Sequence, residues 1–198
     1  MRKTAFCALM MSLVLTLCAC AGGEMSNDDF AAAVQEHYRG AASMAMETKL
    51  RCGIDDAVRE YVLDCTYERG GDYRVTVKEP QELAGIGASV SGDSLSLHYD
   101  GITLEAGDAS KEVCAANAAA YVVEAVARGY VLEQSKSEWN DEPCRRIAFE
   151  LSSDSKAQML CTVCFAEDMT PLCAEISEDG AGFVFMEFTN FTFGDIMD

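Results

Sequence analysis

Cysteine is the residue type with the most chemical potential in this 198-residue chain, with ten Cys against two His and one Trp. Cys161-Thr162-Val163-Cys164 has the C-x-x-C spacing of a dithiol redox pair or of half a zinc site. Its residues alternate as a strand, however, so thiols three positions apart point to opposite faces. No second C-x-x-C and no suitably spaced His completes a ligand set, so no metal is expected. Two histidines leave little room for a His-based catalytic network. Asp154, Glu167 and Asp168 fall in loops where carboxylates could pair for acid–base work, yet among 33 acids such neighbours arise by chance. There is no G-x-S-x-G elbow and no H-E-x-x-H. Gly85-Ile86-Gly87 lacks the third glycine and the following helix of a dinucleotide site. The expectation is a protein that is not an enzyme and holds no cofactor.

Charge narrows the partners. The formal net charge is −18, while nearly half the residues are apolar. Such a chain folds around a core, but it repels phosphate backbones, so no nucleic acid is expected. It equally resists electrostatic adhesion to anionic lipid.

The N-terminus carries an address. Arg2 and Lys3 precede an apolar run from Phe6 to Leu17, about a dozen residues, which suits a signal-peptide core and is short for a bilayer span. The run ends in Leu17-Cys18-Ala19-Cys20. This resembles a bacterial lipobox, in which an aliphatic and a small residue precede the modified cysteine. The resemblance implies a diacylglyceryl thioether on Cys20, which becomes the new N-terminus. Residues 1–19 are then a signal peptide, 20–25 a lipidated tether and 26–198 a single domain. That domain would be extracytoplasmic and held on the bacterial cell membrane by its acyl chains. The five residues from Ala21 to Met25 reach roughly 17 Å when extended, so the domain sits close to the bilayer.

Export permits disulfides. Seven cysteines follow Cys20: Cys52, Cys65, Cys114, Cys144, Cys161, Cys164 and Cys173. The odd number leaves at least one thiol free in a monomer. Cys52, Cys65 and Cys161 fall on apolar strand faces, where Cys acts as a small hydrophobe. Cys114 opens a helix. Cys144, Cys164 and Cys173 lie on the opposite faces of three successive strands. A hairpin opposing Phe165 to Leu172 sets Cys164 against Cys173, close enough to bridge. A one-residue change of register removes that pair, and Cys144 competes for Cys164.

The elements that position these residues are mostly strands. Ser26 caps a helix with Asp28 and Asp29 in its first turn, Phe30, Ala33, Val34 and His37 at helical spacing, and Gly40 at its stop. Period two then takes over. Met44, Met46, Thr48, Leu50 and Cys52 alternate with Ala45, Glu47, Lys49 and Arg51. Turn signals recur about every ten residues, at Gly53-Ile54-Asp55-Asp56, Gly70-Gly71, Ser91-Gly92-Asp93 and Asp100-Gly101. An Ala-rich stretch from Val113 to Arg128, stopped by Gly129, reads as a second helix. Strands resume to a last one carrying Phe183, Phe185, Phe188, Phe191 and Phe193. The reading is mostly β (α+β), with eleven antiparallel strands, an N-terminal helix and a central helix.

This order of elements resembles the LolA/LolB superfamily of outer-membrane lipoprotein carriers. Tyr73-Arg74-Val75-Thr76-Val77-Lys78-Glu79-Pro80-Gln81-Glu82-Leu83-Ala84-Gly85-Ile86 is similar to a strand, acid-Pro turn and strand start in LolA-like lipoproteins of Gram-positive bacteria. The run from Ala174 through Asp179-Gly180 to Phe191 is similar to the same group. The resemblance implies a strongly curved sheet forming an incomplete barrel, with the two helices over its apolar face. It also implies a lipoprotein that binds or carries an acyl chain or other apolar ligand in a cavity under that sheet. Met44, Met46, Leu50, Tyr61, Leu63, Val75, Leu97, Phe149, Phe165 and Phe185 are the cavity candidates. The alternative is an envelope lipoprotein with a packed core that recognises a protein partner. Loose helices leave a cavity and close ones a core.

Overall fold

The structure is a computed structural model that describes residues 25–54, 57–70, 72–108, 113–151, 159–179 and 181–194. The expected signal peptide (1–19), Cys20, the expected tether short of Met25, and Asp154 lie outside the described residues.

Helix α1 spans Asn27–Gly40. Ser26 caps it, its hydroxyl oxygen accepting from the Asp29 backbone N–H at 3.2 Å. Phe30, Val34 and Tyr38, four residues apart, are its buried stripe together with Ala31. Strands β1 (Ser43–Ile54), β2 (Ala57–Glu68), β3 (Asp72–Glu79), β4 (Gly87–Ser91), β5 (Ser94–Tyr99) and β6 (Ile102–Asp108) form a meander. Helix α2 (Ala118–Arg128) follows. Then come β7 (Tyr130–Trp139), β8 (Glu142–Glu150), β9 (Met159–Phe165), β10 (Pro171–Glu178) and β11 (Ala181–Gly194). Helix α2 begins later than its Ala-rich sequence suggests: Val113 to Asn117 form an irregular entry and a turn, so Cys114 precedes the helix. The Asn117 side-chain oxygen accepts from the Cys114 N–H at 2.7 Å, which closes that turn.

All eleven strands join one antiparallel sheet in the order β6-β5-β4-β3-β2-β1-β11-β10-β9-β8-β7. The chain starts mid-sheet, runs out to the β6 edge, and α2 carries it to the β7 edge. It then returns to pair β11 with β1. The sheet stays open, as an incomplete barrel would. Gln35 of α1 fastens the two helices, its side-chain amide donating to the carbonyls of Val126 (3.3 Å) and Gly129 (2.9 Å).

The helices lie against one face of the sheet, here called the inner face. On β1 that face presents Met44, Met46, Thr48, Leu50 and Cys52, all buried. On β11 the phenylalanine pattern changes phase. Val184 and Met186 face inward opposite Cys52 and Leu50. Phe185, opposite Arg51, therefore lies on the other face. A register shift between Ala45 and Glu47 sets an extra β11 residue against Met46, and Asn190 there has a φ of 53°. Such a bulge moves all later side chains to the opposite face, so Phe188, Phe191 and Phe193 all pack on the core. Phe185 is thus corrected: strict alternation through the aromatic run places it on the core, and the phase of Val184 and Met186 excludes it.

Candidate binding face

Seven of the ten cavity candidates lie in one dense cluster. Met44, Met46, Leu50, Leu63, Val75, Phe149 and Phe165 are each 0–4% exposed. Phe30, Val34 and Tyr38 of α1 and Val122 and Val126 of α2 fill the same cluster. The Tyr38 ring stands edge-on to Phe165 at 6.0 Å and to Phe193 at 5.2 Å. Side chains around an empty acyl-sized void would present surface to it, and these present almost none.

Polar groups within the cluster are mostly paired locally. The Tyr73 hydroxyl donates to the Cys65 sulfur at 3.1 Å, and Thr48, fully buried, lies beside the same sulfur. Burial pushes the Cys65 thiol up to about 11 and holds Tyr73 well above the ordinary tyrosine range. Tyr67 donates to the Glu124 carboxylate; burial first, then that carboxylate, raises its pKa. Among the described residues, the hydroxyls of Tyr38 and Tyr121 have no partner.

The remaining three candidates are less enclosed. Tyr61, paired with Leu50, packs half-buried on the margin of the cluster and lines an open cleft of about 530 Å³ whose walls mix Leu50, Val62 and Pro80 with the charged Lys49, Arg51 and Glu187. Phe185 holds the Arg51 guanidinium 4.7 Å over its ring and meets the Trp139 ring at 5.8 Å. Leu97 lies on the inner face but is 38% exposed.

Leu97 marks a gradient. One row of directly paired residues runs Val75, Ala88, Leu97, Leu104 across β3 to β6. Their exposure rises from 4% at Val75 and Ala88 to 38% at Leu97 and 61% at Leu104. The next row pairs Tyr99 with Ile102, and both are exposed. The inner face thus continues past the helices as bare apolar surface. Sequence reasoning offered Tyr99 only as a cavity-rim hydroxyl and did not single out Ile102 and Leu104, because their alternation is that of any core-facing strand. Charge is the signal that distinguishes this end: from Glu79 to Asp108 there are six acids and no Lys or Arg. On the opposite face His98 bridges the hairpin, its Nε2 2.7 Å from Ser89 Oγ and its Nδ1 3.1 Å from Thr103 Oγ1.

The cysteines sort as their strand phases predict. Cys161 faces the core and Cys164 the other face. Cys164 is the direct partner of Cys173, although Phe165 pairs with Pro171 and a register shift intervenes. The seven described cysteines are thiols. Among the described residues no cluster of His, Cys, Asp and Glu has the arrangement of a metal site.

An open eleven-stranded antiparallel sheet with two helices packed on one face defines the class as helix-covered incomplete barrels. Solved structures of that class are similar to this chain over most of its length. One is a domain from Vibrio parahaemolyticus assigned to outer membrane lipoprotein sorting (9% identity, 85% of this chain and 92% of that one, TM-score 0.50). Another is a DUF1329 family protein from Desulfovibrio piger (10% identity, 85% and 92%, TM-score 0.50). A LolA superfamily protein from Nitrosomonas europaea is matched at 10% identity, 87% and 96%, with a TM-score of 0.49. No family model matches the sequence, and no curated protein matches it. The chain shares the open-barrel fold of the lipoprotein-sorting domain and of the DUF1329 family protein. The likeness is one of fold, since one residue in ten is shared.

Proposed function

We propose that this protein is an exported lipoprotein, anchored through Cys20, that works as a protein-binding module and not as an enzyme. Its partner sits on the uncovered inner face of β5 and β6, over Leu97, Tyr99, Ile102 and Leu104. The rise in exposure from Val75 to Leu104 along one paired row carries this reading. Contiguous bare apolar residues at the end of an otherwise covered face mark an interaction surface. Acids without bases around them select a partner with apolar side chains and a cationic rim, and disfavour anionic lipid.

A second reading is the acyl carrier, favoured by likeness to a lipoprotein-sorting domain. It requires space beneath the helices, where Met44, Met46, Leu50 and Phe165 are instead packed. The readings separate in solution. A synthetic amphipathic helix with Leu on one face and Lys along its rim should bind the full-length protein in detergent. That binding should weaken with salt and fall about tenfold or more when Ile102 and Leu104 are both changed to Ser. Equal binding by wild type and variant overturns the docking site. Saturable uptake of a fluorescent fatty acid, lost in a still-folded Met46→Asp variant, would establish the carrier instead.

A further inference from the structure

Three adjacent strands bring Cys144, Cys164 and Cys173 to the face opposite the helices. Cys164 and Cys173 are direct partners across β9 and β10, the arrangement in which Cβ atoms come within disulfide range. On the other side Cys164 pairs with Arg146 of β8. Cys144, two residues before Arg146, takes the diagonal position on the same face. The Cys164 thiol is hydrogen-bonded to both neighbours. Cys144 and Cys173 are buried, while Cys164, at the centre, is partly exposed.

We propose that this trio is a thiol–disulfide exchange site. It takes a disulfide from its surroundings as oxidant and can hold the resulting bridge in either of two places, Cys164–Cys173 or Cys144–Cys164. The hydrogen bond from Cys164 holds the Cys173 thiol below its ordinary range, whereas burial pushes Cys144 up to about 11. The same hydrogen bond, with burial, holds the Cys164 thiol above its ordinary range, so Cys164 gives up its proton to water only as it reacts. The partly exposed Cys164 sulfur then attacks the external disulfide R–S–S–R, forming Cys164–S–S–R and breaking the external S–S bond; the leaving RS⁻ takes up the proton that Cys164 lost. The Cys173 thiol next loses its proton and its sulfur attacks the Cys164 sulfur, forming Cys164–S–S–Cys173 and expelling the second RS⁻, which takes up the Cys173 proton. Two protein thiols are oxidised and one external disulfide is reduced to two thiols. In the shift, the Cys144 sulfur attacks Cys164; the S–S bond to Cys173 breaks and the proton of Cys144 passes to Cys173. That step needs no further oxidant. A fourth thiol is not required, which gives the odd cysteine of this chain a use.

The test is to oxidise the folded full-length chain with oxidised glutathione, block remaining thiols by alkylation, and map linkages by mass spectrometry. Cleavage at Arg146 and Glu167 separates the three cysteines, and fragmentation distinguishes Cys164 from Cys161. Wild type should carry the Cys164–Cys173 link. Cys173→Ser should move it to Cys144–Cys164. Cys164→Ser should abolish both links and leave glutathione adducts. A Cys173→Ser protein that gains only adducts, or a wild type whose links fall elsewhere, overturns the proposal. Should the serine variant fail to fold, a rapid-quench time course on wild type decides: two linkages sharing Cys164 sustain the exchange, and a single fixed linkage refutes it.

Discussion

The two ends of the inner face share a sequence pattern and differ in fate. Beneath α1 and α2, alternating apolar residues of β1 to β3 and β8 to β11 are sealed into a core. On β5 and β6 the same alternation, in Leu97, Tyr99, Ile102 and Leu104, runs on without a cover among the described residues, and β6 is exposed along its whole length. An apolar stripe on a strand therefore means core only where another element lies on it. The helices are anchored toward one side of the sheet, with Gln35 clamped to the end of α2. Arg145 is clamped to the start of α1 through Asn27 Oδ1 at 2.7 Å and the Met25 carbonyl at 3.0 Å.

The sharpest way to break this contrast is truncation in each half. Phe165→Ala should cost about 3–5 kcal/mol in denaturant unfolding. Leu104→Ala should stay within about 0.5 kcal/mol of wild type. Similar losses from both would mean that the β5–β6 end is covered in solution.

High pH should act on the covered half. Burial raises Tyr38 and Tyr73 well above the ordinary range. The folded state keeps protons on them that the unfolded chain releases above about pH 10. Their stabilising contribution is complete below that pH and is lost as pH rises toward the folded values, by up to ~1.4 kcal/mol per unit for each tyrosine. Denaturant midpoints between pH 9 and 11 should fall together with a rise in tyrosinate absorbance on unfolding. A flat profile would contradict their burial.

Arg145→Ala should lower stability by about 1–3 kcal/mol, because a buried guanidinium leaves its acceptors at the start of α1. Its readout is faster hydrogen exchange in the first turn of α1, with β5 and β6 unchanged. The smallest effect is expected from Tyr38→Phe. It removes a buried hydroxyl that has no partner among the described residues, so stability should hold or rise by up to about 1 kcal/mol. A clear loss would reveal a partner for that hydroxyl.

Much of the architecture was legible along the chain, because helix caps and strand alternation are local. Ser26, the turn glycines and the period-two runs set eleven strands and two helices in order. The facing of Cys164 and Cys173 was also legible, as it needs only one hairpin. Phe185 was not. Its face depends on the phase set by Val184 and Met186, and an extra residue near Asn190 resets that phase beyond it. Leu97 was placed on the right face, yet its exposure depends on where α1 and α2 end in space.

Composition and local period, then, determined an acidic, mostly β chain with one apolar face and a leader that resembles a lipobox. Tertiary structure decided how far the helices reach across that face, and hence that Met44, Met46 and Phe165 pack while Leu104 stays bare. The physical reason is that alternation fixes which way a side chain points, whereas burial depends on a second surface arriving from elsewhere in the chain. The joining of Cys144 to Cys164 and Cys173 across three strands came from the sheet in the same way, since register between neighbours is a property of pairs and not of any one strand.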